Sequence, residues 1–166
     1  MAVEVAKRAW KVRVEISDAY SLERFDHGIV KLDYGINGIL LGMTKQSIAE
    51  IVRPTYTSST EKRISAHIGQ IYTAVNDIKI GDLLVVPTEK GRSFSIGDVH
   101  SIGIADDNQS IEILTNWKRR EIPLFDFHQD LRYSFMAIMK LCEVKRNNAA
   151  YRLHTIANGN PDPGPN

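Results

Sequence analysis

Trp117 stands directly before Lys118-Arg119-Arg120, an indole beside three cations. A ring gives a base a stacking face, and Arg or Lys meets phosphate, so this run fits contact with a polyanion. The same spacing fits a core tryptophan followed by a solvated basic face. Asp33-Tyr34-Gly35 is a second set, a carboxylate and a ring where a strand runs into a glycine-rich loop. There a base can lie against Tyr34 while Asp33 accepts from an amino group, or Tyr34 can simply cover the core edge. Lys90-Gly91-Arg92 is a third, a basic hairpin tip able to follow a phosphate backbone or to serve solubility alone.

Catalysis has no comparable support. The chain lacks a GxxxxGK[ST] phosphate loop, an HExxH helix and a Gly-x-Ser-x-Gly elbow. Histidines 27, 67, 100, 128 and 154 fall on different elements and read as structural or surface groups. Asp106-Asp107 reads as a solvated turn. Asp126 and Asp130 flank His128, where helix capping is a simpler reading than a cation site. Cys142 reads as a small buried apolar group. The expectation is therefore a non-enzyme with no cofactor and no metal.

Bulk properties narrow the class. The 166 residues suit one domain with a real core, and 43% hydrophobic with 25% charged residues is ordinary for a globular chain. The formal net charge is +1, so any affinity for polyanions must come from a local patch. A single cysteine excludes an internal disulfide. The first residues read as carrying no signal sequence, and no apolar window is long enough to span a bilayer, so a cytoplasmic setting without membrane contact is expected.

The elements that must position these groups are read from periodicity. Ala9–Ile16 alternates as a half-buried strand, and Ser17-Asp18 caps a short helix carrying Tyr20, Leu22 and Phe25 that ends at His27-Gly28. Ile29–Tyr34 is a second strand and 46–52 a short helix stopped by Pro54. Ser58 and Glu61 suggest a capping box for a helix over 60–76, whose Ile64, Ile68, Ile71, Tyr72 and Val75 form one stripe. The centre is a hairpin: the apolar run Leu83–Val86 is closed by Pro87, a turn covers 87–92, and 93–99 alternates. Residues 102–105 and 110–115 make a second hairpin, with Trp117–Arg120 following it. A helix over 130–138, a strand over 139–145 and a helix over 147–156 complete a domain of residues 1–158. Residues 159–166, GNPDPGPN, read as a linker or frayed tail. Consecutive hairpins favour an α+β fold built on a mixed, mostly antiparallel β-barrel with flanking helices.

The hairpin GDLLVVPTEKGRSFSIGDV resembles the core of PUA-like domains, the superfamily that includes EVE, YTH and ASCH domains. Over Ala9–Leu153 the chain is similar, more specifically, to the N-terminal domain of bacterial Mrr-like, modification-dependent restriction proteins. The matching pieces are Trp10-Lys-Val-Arg13, Gly28-Ile-Val-x-Leu-Asp-Tyr-Gly35, Gly69-Gln70-Ile71-Tyr72 and the central hairpin. Asn116-Trp117, Pro123, Gln129-Asp130-Leu131-x-Tyr-Ser134, Cys142 and Lys145-Arg146-Asn147-x-Ala149 follow in order.

The resemblance implies a PUA-like, EVE-like fold and a defence function. In it, double-stranded DNA carrying modified cytosine of the 5-methylcytosine type is bound with the base flipped into an aromatic pocket. Extruding a base costs on the order of a few kcal/mol, which stacking and edge hydrogen bonds in a closed pocket offset. A methyl group adds only about 1 kcal/mol of burial, so a fitted apolar wall must discriminate. Carried over by position, the pocket residues are Trp10, Asp33, Tyr34 and Trp117. The backbone contacts are Arg13, Lys90, Arg92, Lys118, Arg119 and Arg120. Tyr34 departs from the tryptophan expected there. The resemblance also implies a nuclease domain in cis, C-terminal to this one, and leaves the oligomeric state open. A different class fits the near-neutral charge: a pocket for a free nucleotide signal that switches an attached effector. A protein-interaction module without a base pocket is the third.

Overall fold

The computed structural model describes residues 7–165. Residues 1–6 and 166, and with them the reading of the first residues as free of a signal sequence, lie outside it. The strands are β1 (Ala9–Val12), β2 (Ile29–Asp33), β3 (Leu83–Thr88), β4 (Ser93–Ile104), β5 (Ser110–Pro123) and β6 (Leu141–Glu143). The helices are α1 (Ala19–Asp26), α2 (Lys45–Thr55), α3 (Glu61–Asn76), α4 (Gln129–Phe135) and α5 (Ala149–Ala157). The strands form one six-stranded sheet in the order β2-β5-β4-β3-β1-β6. Among the described residues, only β1 and β3 pair in parallel.

The unbroken apolar run in β3 exists because the sheet is covered on both faces. Leu84 and Val86 enter a core with Trp10, Val30, Ile113 and the inner stripe of α3, while Leu83 and Val85 enter another with Phe94, Phe127, Phe135 and Leu153. Alternate side chains of one strand thus hold two helical layers apart. Gly81, at φ +91°, makes the turn into β3, as its place in the sequence predicts. Gly28 is required for a different reason, since a Cβ there would meet the Thr115 carbonyl oxygen at 2.0 Å.

The fold is α+β and mostly antiparallel, but the barrel expected from the sequence does not close. β2 and β6 have one neighbour each. Closure fails because the first strand stops at Val12 rather than Ile16, and residues 13–17 leave the ladder before they can pair with β2. The expected second hairpin is longer than its apolar ends suggest: β5 runs through Trp117–Arg120 to Pro123, which lies opposite Ser93. Pro87 likewise sits inside β3, opposite Phe94. Pro54 does not stop α2, which continues to Thr55. The cap of α3 is Thr60, whose Oγ1 accepts from the Arg63 amide, and Glu61 pairs with Arg53 at 2.8 Å rather than completing a box with Ser58.

The C-terminal reading also changes. Residues 159–165 are not a frayed tail: Asp162 is buried against Arg152 at 2.9 Å and accepts from the His128 amide at 2.8 Å. Arg152 reaches Asp130 as well, so one guanidinium joins α4, α5 and this terminal segment. Asp130 therefore holds an arginine rather than capping a helix. Asp126 lies 3.7 Å from Arg119.

Candidate functional site

The open edge of β2 is where a cleft forms. The Thr115 amide donates to the Gly28 carbonyl, which makes Ile29 and Leu114 a non-hydrogen-bonded pair. The alternation then turns the main-chain groups of Ile29, Lys31 and Asp33 outward, away from β5. Facing them is the chain leaving β1, and α1 forms the base. The cleft between holds about 310 Å³ and is lined in part by Arg13, Val14, Ile16, Tyr20, Asp33 and Lys140. That volume is at the lower end of ligand pockets.

Its walls differ in character. Val14 and Ile16 alternate with Arg13 and Glu15 along the exit from β1, giving an apolar strip. α1 starts at Asp18, whose carboxylate accepts from the Ser21 amide at 2.7 Å. That hydrogen bond holds the Asp18 carboxyl below its usual range. Tyr20, one residue into the helix, is 67% exposed. Arg24 lies over one face of its ring at 5.6 Å and leaves the opposite face free of cation contact among the described residues.

Charges in the cleft are unevenly matched. Arg24 pairs with Glu112 at 2.9 Å and Lys31 with Asp107 at 3.3 Å. Arg13 and Lys140 have no carboxylate partner among the described residues. Lys140 instead donates to the Asp33 main-chain carbonyl. Of the Asp33 carboxylate, Oδ1 accepts from the Gly35 amide at 2.8 Å, while Oδ2 takes no hydrogen bond among the described residues. The cleft can thus offer an acceptor, a ring face, an apolar strip and two cations.

The residues expected to form an aromatic pocket are not brought together. Trp10 is buried in the core, and its Nε1 donates to Asp82 at 2.9 Å. Tyr34 is 3% exposed, its hydroxyl donating to Gln70 at 3.0 Å and its ring meeting His67 edge-on. Burial pushes its phenol well above the ordinary range, so it stays neutral. Trp117 packs on Phe25 at 4.9 Å and donates from Nε1 to the Phe25 carbonyl. Neither Tyr34 nor Trp117 lines this cleft. Only Asp33 of the four does.

The backbone-contact set divides too. Lys118 pairs with Asp98 at 3.2 Å and Arg120 with Asp26 at 2.7 Å. Arg119 donates to the Ile156 carbonyl at 3.0 Å. Lys90 and Arg92 are exposed on the hairpin tip, where Glu89, Lys90 and Gly91 all have positive φ. Arg13 is the one member that reaches the cleft.

Sequence reasoning passed over Tyr20 and Lys140. For Tyr20 a signal existed: at about 100° per residue, a five-residue spacing from Phe25 puts the two on different faces of the helix. With Phe25 buried, Tyr20 had to face outward. Lys140 gave no such signal, because its place depends on the register of β6 against β1.

Compared with known protein families, curated proteins and solved structures, the chain matches none.

Proposed function

We propose that this chain is a recognition module that holds one modified nucleobase, of the 5-methylcytosine type, in the cleft between β2, α1 and the exit from β1. The observation that carries the reading is the convergence there of an exposed ring, an unbonded carboxylate oxygen and two cations without carboxylate partners. A cytosine stacked on Tyr20 presents an amino group to Asp33. Its 5-methyl group meets the Val14–Ile16 strip, and its phosphates lie near Arg13 and Lys140. The duplex is bound without being cut by this domain. In this reading a restriction nuclease domain in cis acts on the DNA, as the resemblance implies.

One observation favours a second reading. Lys118 and Arg120, expected to track a duplex, are paired with Asp98 and Asp26, so the Trp117–Arg120 run offers little free charge to a phosphate backbone. A free nucleotide signal in the same cleft needs only Arg13 and Lys140.

Titrating matched duplexes, with and without one 5-methylcytosine, against a free-nucleotide panel decides between the two. The proposal expects tighter binding to the modified duplex, and loss of that preference in Tyr20→Ala and Asp33→Ala. Equal weak binding to both duplexes, with a nucleotide bound more tightly than either, gives the site to the second reading.

A further inference from the structure

A second groove lies at the opposite edge of the sheet. The Arg13 amide donates to the Lys140 carbonyl and the Val144 amide to the Ala9 carbonyl. With Trp10 opposite Glu143 and Val12 opposite Leu141, both pairs are non-hydrogen-bonded ones. The main-chain N–H and C=O of Leu141 and Glu143 therefore point away from β1, and no other main-chain group meets them among the described residues. The groove alongside holds about 550 Å³ and runs between this edge and α3. A sheet edge left unpaired is a template for another extended chain.

The rest of the groove suits one kind of guest. Gly69, in the middle of α3, has nothing among the described residues within 4 Å of where a Cβ would sit, so the helix leaves room there without any packing need. Lys45 lies over the Tyr72 ring at 5.1 Å. Neither Lys45 nor Lys145 has a carboxylate partner among the described residues, and both line the groove. Two acids also line the groove, Asp77 and Glu143, the latter held by Arg8 at 2.8 Å, so the three lining cations Arg8, Lys45 and Lys145 outnumber the acids by one.

We infer that this groove binds an extended, acidic peptide segment of a partner protein, added as a short strand along β6. Main-chain hydrogen bonds to Leu141 and Glu143 give the register. Alternate side chains of the guest enter beside Gly69, and its carboxylates meet Lys45 and Lys145. The site is separate from the cleft at β2, and the inference does not depend on the base-binding proposal.

The test uses the whole chain and an eight-residue peptide of alternating valine and glutamate. Three comparison peptides go with it: one with lysine for glutamate, one with a central proline, and a single-stranded oligonucleotide of equal charge. The expected result is binding of the glutamate peptide with slowed hydrogen exchange at the Leu141 and Glu143 amides. The affinity should fall about tenfold or more in Lys45→Glu/Lys145→Glu, a loss in line with removing close charge pairs from an interface. The proline peptide should bind more weakly, because it cannot complete the ladder. Peptide binding without protection of those two amides overturns the inference, as does no binding by the glutamate peptide. An oligonucleotide that binds more tightly and is equally sensitive to the double reversal also overturns it. Both lysines are exposed, so the variant keeps its fold, and a melting curve matching the parent confirms that.

Discussion

Lys140 and Asp33 are 107 residues apart, yet the lysine ammonium donates to the aspartate's main-chain carbonyl at the end of β2. That one bond ties together the two edges of a sheet that never closes. It also fixes a cation at the rim of the gap between them. The same ammonium lies 5.4 Å from the Tyr34 ring centre, so the corner is built on a buried aromatic. The gap exists because β1 ends early, and the candidate site is that gap.

The cations of the cleft are expected to act on affinity more than on folding. Arg13→Gln/Lys140→Gln should weaken duplex binding at low salt, and flatten the dependence of log affinity on log salt by about two phosphate contacts. Its melting temperature should fall only slightly, because the Lys140 bond to the Asp33 carbonyl that it removes is exposed to solvent. Binding isotherms at several salt concentrations check both.

Trp117→Ala should behave oppositely. The indole packs on Phe25, bonds its carbonyl and carries Arg120 over its face at 5.6 Å. Truncation should cost about 2–4 kcal/mol of stability, as for other large-to-small core changes. Where the variant remains folded, discrimination between modified and unmodified duplexes should survive. Urea unfolding with a parallel binding assay separates the two effects.

Asp82 organises the start of β3. It accepts from Trp10 Nε1 and from the Lys79 amide, both at 2.9 Å, and is almost fully buried. Asp82→Ala leaves an indole N–H and an amide without their partner, so a loss of about 2–4 kcal/mol is expected from unsatisfied buried donors. Asp82→Asn should retain part of it. Chemical denaturation of the two variants measures the difference.

Acid should loosen the carboxylate anchors of the terminal segment, the most strongly lowered giving way last. The Arg152 guanidinium holds the Asp130 carboxyl far below its ordinary range. For Asp162, burial pushes upward, but Arg152 and the amides of His128 and Gly164 outweigh it and lower the carboxyl. Asp107 is drawn down to about 2, chiefly by the Gln109 amide. A carboxyl lowered in the folded state contributes stability that is fully present above its unfolded value, near 4. That stability is lost as pH falls through the folded value. Stability should therefore decline as pH drops from about 4 toward 2, and less steeply in Asp162→Asn. Melting curves across that range, with exchange at the His128 amide, read it out.

Gly69 offers a gain. Since a Cβ there meets nothing, Gly69→Ala should stabilise α3 by about 0.5–1 kcal/mol through helix propensity alone. A thermal melt tests this.

Local chemistry made much of the fold legible. The α1 cap at Asp18, the α3 stripe and the Gly81 turn are written in neighbouring residues, and each stands where the sequence puts it. Strand lengths were less legible, because pairing partners set them. β5 carries Trp117 through Arg120 because β4 continues beside it, which no alternation in that run reveals. The terminal segment misled through composition: its prolines and glycines read as unpackable, while a single carboxylate, Asp162, anchors it to a buried arginine. The aromatic pocket is less legible for a related reason. Rings and cations adjacent in sequence are not adjacent in chemistry: Trp10 and Tyr34 are buried, half-buried Trp117 packs on Phe25, and the charges of Lys118 and Arg120 are met by Asp98 and Asp26. The cleft itself joins residues from 13 to 140, which only the sheet's topology brings together.

Backbone amide shifts followed during titration with a duplex carrying one 5-methylcytosine test the base-binding account most directly. It predicts perturbations gathered on residues 13–18, Tyr20, 29–33 and Lys140, saturating together and smaller with the unmodified duplex. Perturbations centred on 117–120 and the 90–92 tip, with the cleft at β2 unmoved, would contradict it.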